Sequence, residues 1–478
     1  MATNTSTGNK QYDVTVVGEG MNGLSATYRI FTQQVSTKVC TVEARGRVGG
    51  RIWSIAIDLG ARKPFDTPRE AIGLPRQAHC EPYRTQFCDA RVYGVGKLVP
   101  PEQTGELAGR VFGTIFSWLP VFHQGDDDST TAVPETMSGK DGILAEGSPI
   151  YDGEPKPTDG AATDEHLRTA LMLSRSFQGW TGVPIDYISL KWWGFNQYTG
   201  GDGILTRGYG EMVDWLEAEI ERLGGVFRLK APVAAVEPVE GEEEEEISVK
   251  ISTRWVEDIP EVMHAELLSN FHAPYTLLTL PLGVLKYAPP TFTPLLSIRR
   301  QQALQRLCMG LLDKIVLVYE KAWWADTQSS SAMINILIPS EDDLTRLLGP
   351  TGGYVPSHGT AKGAFPCRTP EWLEQNPQTL MAFDLHAQYV AETCTDAPTT
   401  EWVTGVVQQW LGGLMKKAAN GSGNMEADGQ IPRPVEVLRT AWRKDEHAFG
   451  SYAYIPVGSE NEGIAASPLD QVELTRTM

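Results

Sequence analysis

The sequence predicts an α/β protein with α+β character in a second domain, on three observations. An apolar run, YDVTVV at 12–17, ends abruptly in the glycine-rich turn GEGMNG. An amphipathic stretch then leads into a second apolar run, KVCTVEA at 38–44, so strand, turn, helix and strand follow one another within about thirty residues, the length of a βαβ unit. Further on, residues 226–255 read as strands joined by an acidic hairpin tip, Glu242–Glu246, that reads as a solvated loop.

The first element is defined by its glycines. Gly18 permits a tight turn, Gly20 lets a pyrophosphate approach the backbone, and Gly23 lets the helix pack close to the sheet. The helix N-terminus then offers unpaired N–H groups and the positive end of its dipole to the phosphate. Glu43, at the end of the second strand, is placed to accept hydrogen bonds from a ribose hydroxyl. Glycines, two strands, helix and acid in register predict a Rossmann-type dinucleotide-binding domain, although the glycine pattern alone does not choose the nucleotide.

The second element is a long helical pattern within 191–225, GEMVDWLEAEIERLGG, preceded by an aromatic segment in which Trp192 and Trp193 read as packing residues. The stretch 415–434, rich in glycine, asparagine and proline, reads as a surface connection. No internal repeat is present.

With 478 residues the chain is long enough for two or three domains. It is 41% hydrophobic and 21% charged, an ordinary globular composition. Its apolar runs stop well short of the ~20 residues that span a bilayer, so no membrane partner is expected. The first eleven residues, MATNTSTGNKQ, lack the apolar core of a secretory leader. Lys and Arg total 41 against 60 Asp and Glu, a formal charge of −19. That balance argues against a nucleic-acid partner and suits either cationic ligands or a solvated acidic surface. Six cysteines, with no CxxC pair, indicate neither a disulfide framework nor a thiolate metal site; no metal is expected, and a reducing, cytoplasmic location is.

Four ordered segments narrow the reading further. They are VEARGRVGGRIWS at 42–54, IDLGA at 57–61, the long stretch TLLTLPLGVLKYAPP…LLDKIVLVYEKAWW at 276–324, and TAWRKDEHAFGSYAYIPVGS at 440–459. Together they resemble the flavin amine oxidase superfamily, nearest its polyamine oxidase and lysine-specific histone demethylase branch. The resemblance implies FAD as cofactor. Carried onto this sequence, it gives Glu43 the ribose, sets Arg45 and Arg51 near the phosphates and flavin, and uses Gly49, Gly50, Gly60 and Ala61 as close backbone approaches. It also places Val233 on a strand touching the adenine, while Arg47 reads as a solvent-facing charge. Arginine suits such a site because its planar fork binds phosphate bidentately.

For catalysis the resemblance implies Lys286, as the lysine that holds a water against the flavin, with Trp442 and Tyr452 as aromatic neighbours of the flavin. From the residues alone, Lys286 closes an apolar run and is either partly buried, with a lowered pKa, or a surface lysine; the two aromatics could equally be core residues. The implied domains are a discontinuous FAD-binding domain (11–90, 205–285 and 430–478) interleaved with a substrate-binding domain of sheet plus helices (91–204 and 286–429). The implied reaction is oxidation of a polyamine-like small-molecule amine by hydride transfer to flavin N5. The imine hydrolyses to an aldehyde plus amine, and O2 is reduced to H2O2. No oligomeric state is indicated.

The sequence departs from the family pattern twice. Residues 62–88 are charged and without helix or strand period, as expected of an insertion or of misassembled coding sequence. The family's F-A-G-E-x-T segment, expected a few tens of residues after 459, is not reached. The alternative expectation is therefore a truncated, catalytically silent protein of the same fold.

Overall fold

The computed structural model describes residues 12–54 apart from 35, and 82–84, 90–94, 97–98, 101–122 and 133–151; 165–195 apart from 176; and 203–205, 208–240, 247–254, 271–320, 334–337, 362–365, 379–383, 396–419 and 431–459. Gly60, Ala61, nearly all of 62–88 and the hairpin tip Glu242–Glu246 lie outside the described residues.

The predicted βαβ unit is present. Strands Val14–Val17 and Val39–Val42 run parallel, in register from Val14 with Val39, and are joined by the helix Met21–Gln33. Strand Tyr275–Leu278 adds in parallel on one side and Val226–Arg228 on the other, giving an all-parallel four-stranded sheet. Such a sheet must be covered on both faces, which is why its strands read as nearly unbroken apolar runs. On one face Val16 and Val39 pack with Leu24 and Phe31 of the first helix and with Met212, Leu216 and Ile220 of the helix Gly208–Arg222. On the other, Val17, Cys40 and Val42 meet Val249, Ile251 and Phe271. Those three come from an antiparallel layer in which Val233–Glu240 pairs with Ile247–Thr253, and that in turn with Phe271–Ala273. The strands predicted within 226–255 are thus observed.

The α+β portion has a seven-stranded mixed sheet. Its order is Glu436–Arg439, Ile315–Val318, Thr379–Phe383, Lys362–Phe365, Ile334–Leu337, Ala90–Gly94 and Lys97–Leu98. One strand, Glu436–Arg439, comes from beyond residue 429 and pairs antiparallel with Ile315–Val318. A separate helical cluster buries Val111, Ile115, Leu119, Ile143, Leu167 and Leu173, with Trp193 packed against it, while Trp192 is buried beside Ile455. Both tryptophans therefore pack as their setting predicted.

Two small pairings position the site. Cys308–Gly310 runs antiparallel to Tyr452–Tyr454, setting the segment that contains Lys314 beside Tyr452. Gly20 forms a bridge with Gly49, joining the two glycine-rich loops. Among the described residues no helix is long and apolar enough to cross a membrane.

Candidate active site

The first strand ends at a loop that only glycines allow. Gly18 has φ +93°, and a Cβ at Gly23 would lie 1.9 Å from the carbonyl oxygen of Gly18. Helix and strand therefore touch backbone to backbone at Gly23. Gly23→Ala is expected to destabilise the fold by about 3 kcal/mol, the range of overpacked sites, because the clashing atom is main chain and cannot rotate away. Denaturant unfolding checks this, and a loss below about 1 kcal/mol would contradict the packing. At Gly20, by contrast, a Cβ would meet nothing within 4 Å: the space over the loop is open. Gly20 at the N-cap has no side chain to cap the helix that starts at Met21, which leaves its first-turn N–H groups, among the described residues, open to a ligand.

Glu43 closes the second strand, 5% exposed. Its Oε2 accepts from the Glu19 amide at 2.7 Å and its Oε1 from the Arg45 amide at 2.8 Å. Two charge-assisted bonds fix the carboxylate, and each oxygen keeps a lone pair for a hydroxyl. The Arg45 guanidinium pairs with Asp445 at 2.8 Å, and Asp445 also accepts from the His447 amide. Arg51 is half-buried and donates to the Ser451 carbonyl; desolvation, more than any neighbouring charge, pulls its pKa below the usual arginine range.

Arg47 differs from expectation. It does not face solvent but lies half-buried, donating to the carbonyls of Gly50 at 2.8 Å and of Val48 and Ile52 at 3.0 Å, with its guanidinium over the Trp53 ring. It pins the loop that presents Gly49 and Gly50. Carbonyls left unpaired by a glycine-rich turn are what an arginine fork satisfies, and RGRVGGR carries that signal.

These parts line one cavity of about 470 Å3, within the range of small-molecule and cofactor sites. Its wall includes Gly18, Gly20, Glu43, Arg45, Gly49, Gly50, Arg51 and Val233, and further along Trp442 and Tyr452. Gly23 lies behind this wall in its packing role. The structure thus brings the predicted dinucleotide residues and both predicted aromatics together, except for Gly60 and Ala61, which are not described.

Lys286 is not in that wall. It sits on the short helix Leu282–Tyr287, whose Val284 faces the cavity. Residues two apart on a helix point to opposite sides, so Lys286 turns away. Its ammonium donates to the carbonyls of Leu304, Gln305 and Leu307, capping the C-terminal turn of the helix Ile298–Arg306. The lysine of the cavity is Lys314, 2% exposed and just ahead of the strand Ile315–Val318. Its amide donates to Thr440 Oγ1 at 2.8 Å, and its neighbour Asp313 accepts from Thr440 Oγ1 and from the Trp442 amide at 2.9 Å each. The mark of Lys314 in the sequence is a lysine inside LLDKIVLVYE, opening an apolar run and preceded only by Asp313 after two leucines. Among the described residues no group of three or more His, Cys, Asp or Glu is placed to hold a metal.

Residues 188–473, more than half of the chain, match the family of flavin containing amine oxidoreductases. The chain belongs to this family. Probable polyamine oxidase 4 of Arabidopsis thaliana is 25% identical over 339 residues, which cover 67% of this chain and 60% of that protein. Lysine-specific histone demethylase 1 homolog 3 of Arabidopsis thaliana is 22% identical over 495 residues, covering 94% of this chain and 27% of that protein. The chain therefore spans less than two thirds of the length of either relative. Among solved structures, a putrescine oxidase redesigned in its cofactor binding matches with a TM-score of 0.59 at 17% identity, covering 94% of this chain and 89% of its own. That likeness shows the flavin amine oxidase fold.

FAD is the cofactor that membership of this family implies, and the cleft fits it. The open space over Gly20 would admit a diphosphate, the Glu43 carboxylate keeps lone pairs that a ribose hydroxyl would meet, and the half-buried Arg51 would offer a positive charge to the negative cofactor.

Proposed function

We propose that the chain oxidises a small polyamine-like amine with bound FAD, and that residues 11–90, 205–285 and 430–478 chiefly hold the cofactor while 91–204 and 286–429 chiefly shape the substrate side. When bound, FAD would supply a two-electron oxidant for the C–H bond beside the amine nitrogen, with O2 as final acceptor giving H2O2 and with the imine product hydrolysed by water to aldehyde and amine. The observation that carries this reading is the single cavity in which the glycine–glutamate–arginine grip and the Lys314, Trp442 and Tyr452 wall are continuous.

The roles divide along the cavity. Gly18, Gly20, Gly49 and Gly50 give the phosphates room, Glu43 takes the ribose, Arg45 and Arg51 offset the diphosphate charge, and Val233 abuts the adenine. Trp442, 5% exposed, and Tyr452 give the reacting end aromatic walls. Such walls disfavour an ammonium ion and so favour the neutral amine, whose lone pair is needed for oxidation. Lys314 takes the role that the resemblance placed on Lys286: a buried side-chain nitrogen donating an N–H to the water beside the reacting centre. The formal charge of −19 favours approach of a polycation.

The experiment is peroxide release after reconstitution with FAD, with spermine, spermidine and N-acetylated polyamines as separate substrates. Turnover with at least one supports the proposal; retained flavin with no peroxide from any of them points to a protein of this fold without the activity.

A further inference from the structure

Inside the first glycine loop lies a carboxyl that the dinucleotide grip does not use. Glu19, between Gly18 and Gly20, is 0% exposed, and neither of its carboxyl oxygens has a hydrogen-bond partner among the described residues. Its main chain joins the two halves of the grip. The amide donates to Glu43 Oε2 at 2.7 Å, and the carbonyl accepts from the Gly49 amide at 2.7 Å, beside the Gly20–Gly49 bridge. An unpaired carboxylate cannot be buried there at tolerable cost, whereas a carboxylic acid can.

We infer that Glu19 is a proton-dependent positioning residue of the cofactor site: as a neutral acid it lets the two glycine loops close on the flavin dinucleotide, and on ionising it opens them. Burial first, and the charge of Glu43 second, hold its pKa well above the carboxylate range. The facing groups do not relieve this. The strand end Val39–Val42 brings Glu43, a like charge; the 44–54 loop brings Arg45, engaged with Asp445, Arg47, spread over three carbonyls, and Arg51, bonded to Ser451; the 441–451 segment brings Asp445 and His447. An ionised Glu19 must draw in water at the expense of the packing around it, and the Gly49-to-Glu19 bond made by its own main chain is part of that packing. The loops that cradle the diphosphate then separate, and the new charge also repels it.

The inference rests on the FAD reading, so its test uses binding and stability, not turnover. The dissociation constant of FAD is measured by flavin fluorescence from about pH 6 to about pH 9, for the wild-type chain, Glu19→Gln and Glu19→Ala. The wild type is expected to weaken by up to about tenfold per pH unit above the carboxyl's pKa, and both variants to stay flat. A flat wild-type curve, or a variant that keeps the wild-type slope, overturns the inference.

The unfolding midpoint of the FAD-free protein gives a second measurement. A carboxyl raised in the folded state adds stability that is fully present below its unfolded pKa of 4.5 and lost as the pH rises through the folded value. The wild-type midpoint should fall across that window and the Glu19→Ala midpoint should not; equal slopes overturn the inference. No FAD binding at any pH by any form, with the midpoint slopes still different, would instead sink the FAD reading.

Discussion

Lys314→Met is expected to slow reduction of the bound flavin by spermidine about 100-fold or more, the scale of a lost proton-handling group. The substitution keeps length and apolar volume but removes the donor from a side chain that is 2% exposed in the cavity wall. Because the Lys314 main chain is fixed through Thr440, the fold around it should survive. Lys286→Met is the matched control. It removes bonds to the carbonyls ending the helix Ile298–Arg306, so it should cost about 1 kcal/mol of stability and leave flavin reduction within about twofold. Anaerobic stopped-flow absorbance reads both variants. Slow reduction in Lys286→Met with normal reduction in Lys314→Met would return the role to Lys286.

The second large effect is expected at Glu43. Glu43→Ala removes the acceptor of two main-chain N–H groups, those of Glu19 and Arg45, as well as the proposed ribose contact. Leaving buried donors unpaired costs about 1–3 kcal/mol each. Since both donors belong to the loops that shape the dinucleotide site, the loss should appear mainly as at least about 100-fold weaker FAD binding. Titration of the variant with FAD, alongside circular dichroism to confirm folding, checks this. An affinity within about threefold of wild type would show that Glu43 does not hold the cofactor.

The sequence made the first half of the site readable because its parts are local. Gly18, Gly20 and Gly23 share one turn, and Glu43, Arg45, Gly49, Gly50 and Arg51 share one loop, so spacing alone sets their geometry. The helix Gly208–Arg222 and the hairpin Val233–Thr253 were legible for the same reason: periodicity is a property of neighbours. The lysine was not. Lys286 and Lys314 both border apolar runs, and choosing between them requires knowing which face of Leu282–Tyr287 meets the cavity. That is decided by contacts with Ala448 and Phe449, more than a hundred residues away. Arg47 was misread because the signal in RGRVGGR, an arginine beside a glycine-rich turn, was weighed as charge and not as a donor to the carbonyls of that turn. Glu19 went unremarked because a position between two motif glycines shows its burial only once the strand ends are assembled.

Binding of FAD in this cleft and its reduction there by an amine are read together in one anaerobic titration. The purified chain is reconstituted with FAD, freed of excess cofactor, and mixed with spermidine while the flavin absorbance is recorded. The expected result is a retained flavin spectrum that bleaches on adding the amine and returns on admitting air. A protein that retains no flavin, or retained flavin that spermidine and the other polyamines leave unbleached, would contradict it.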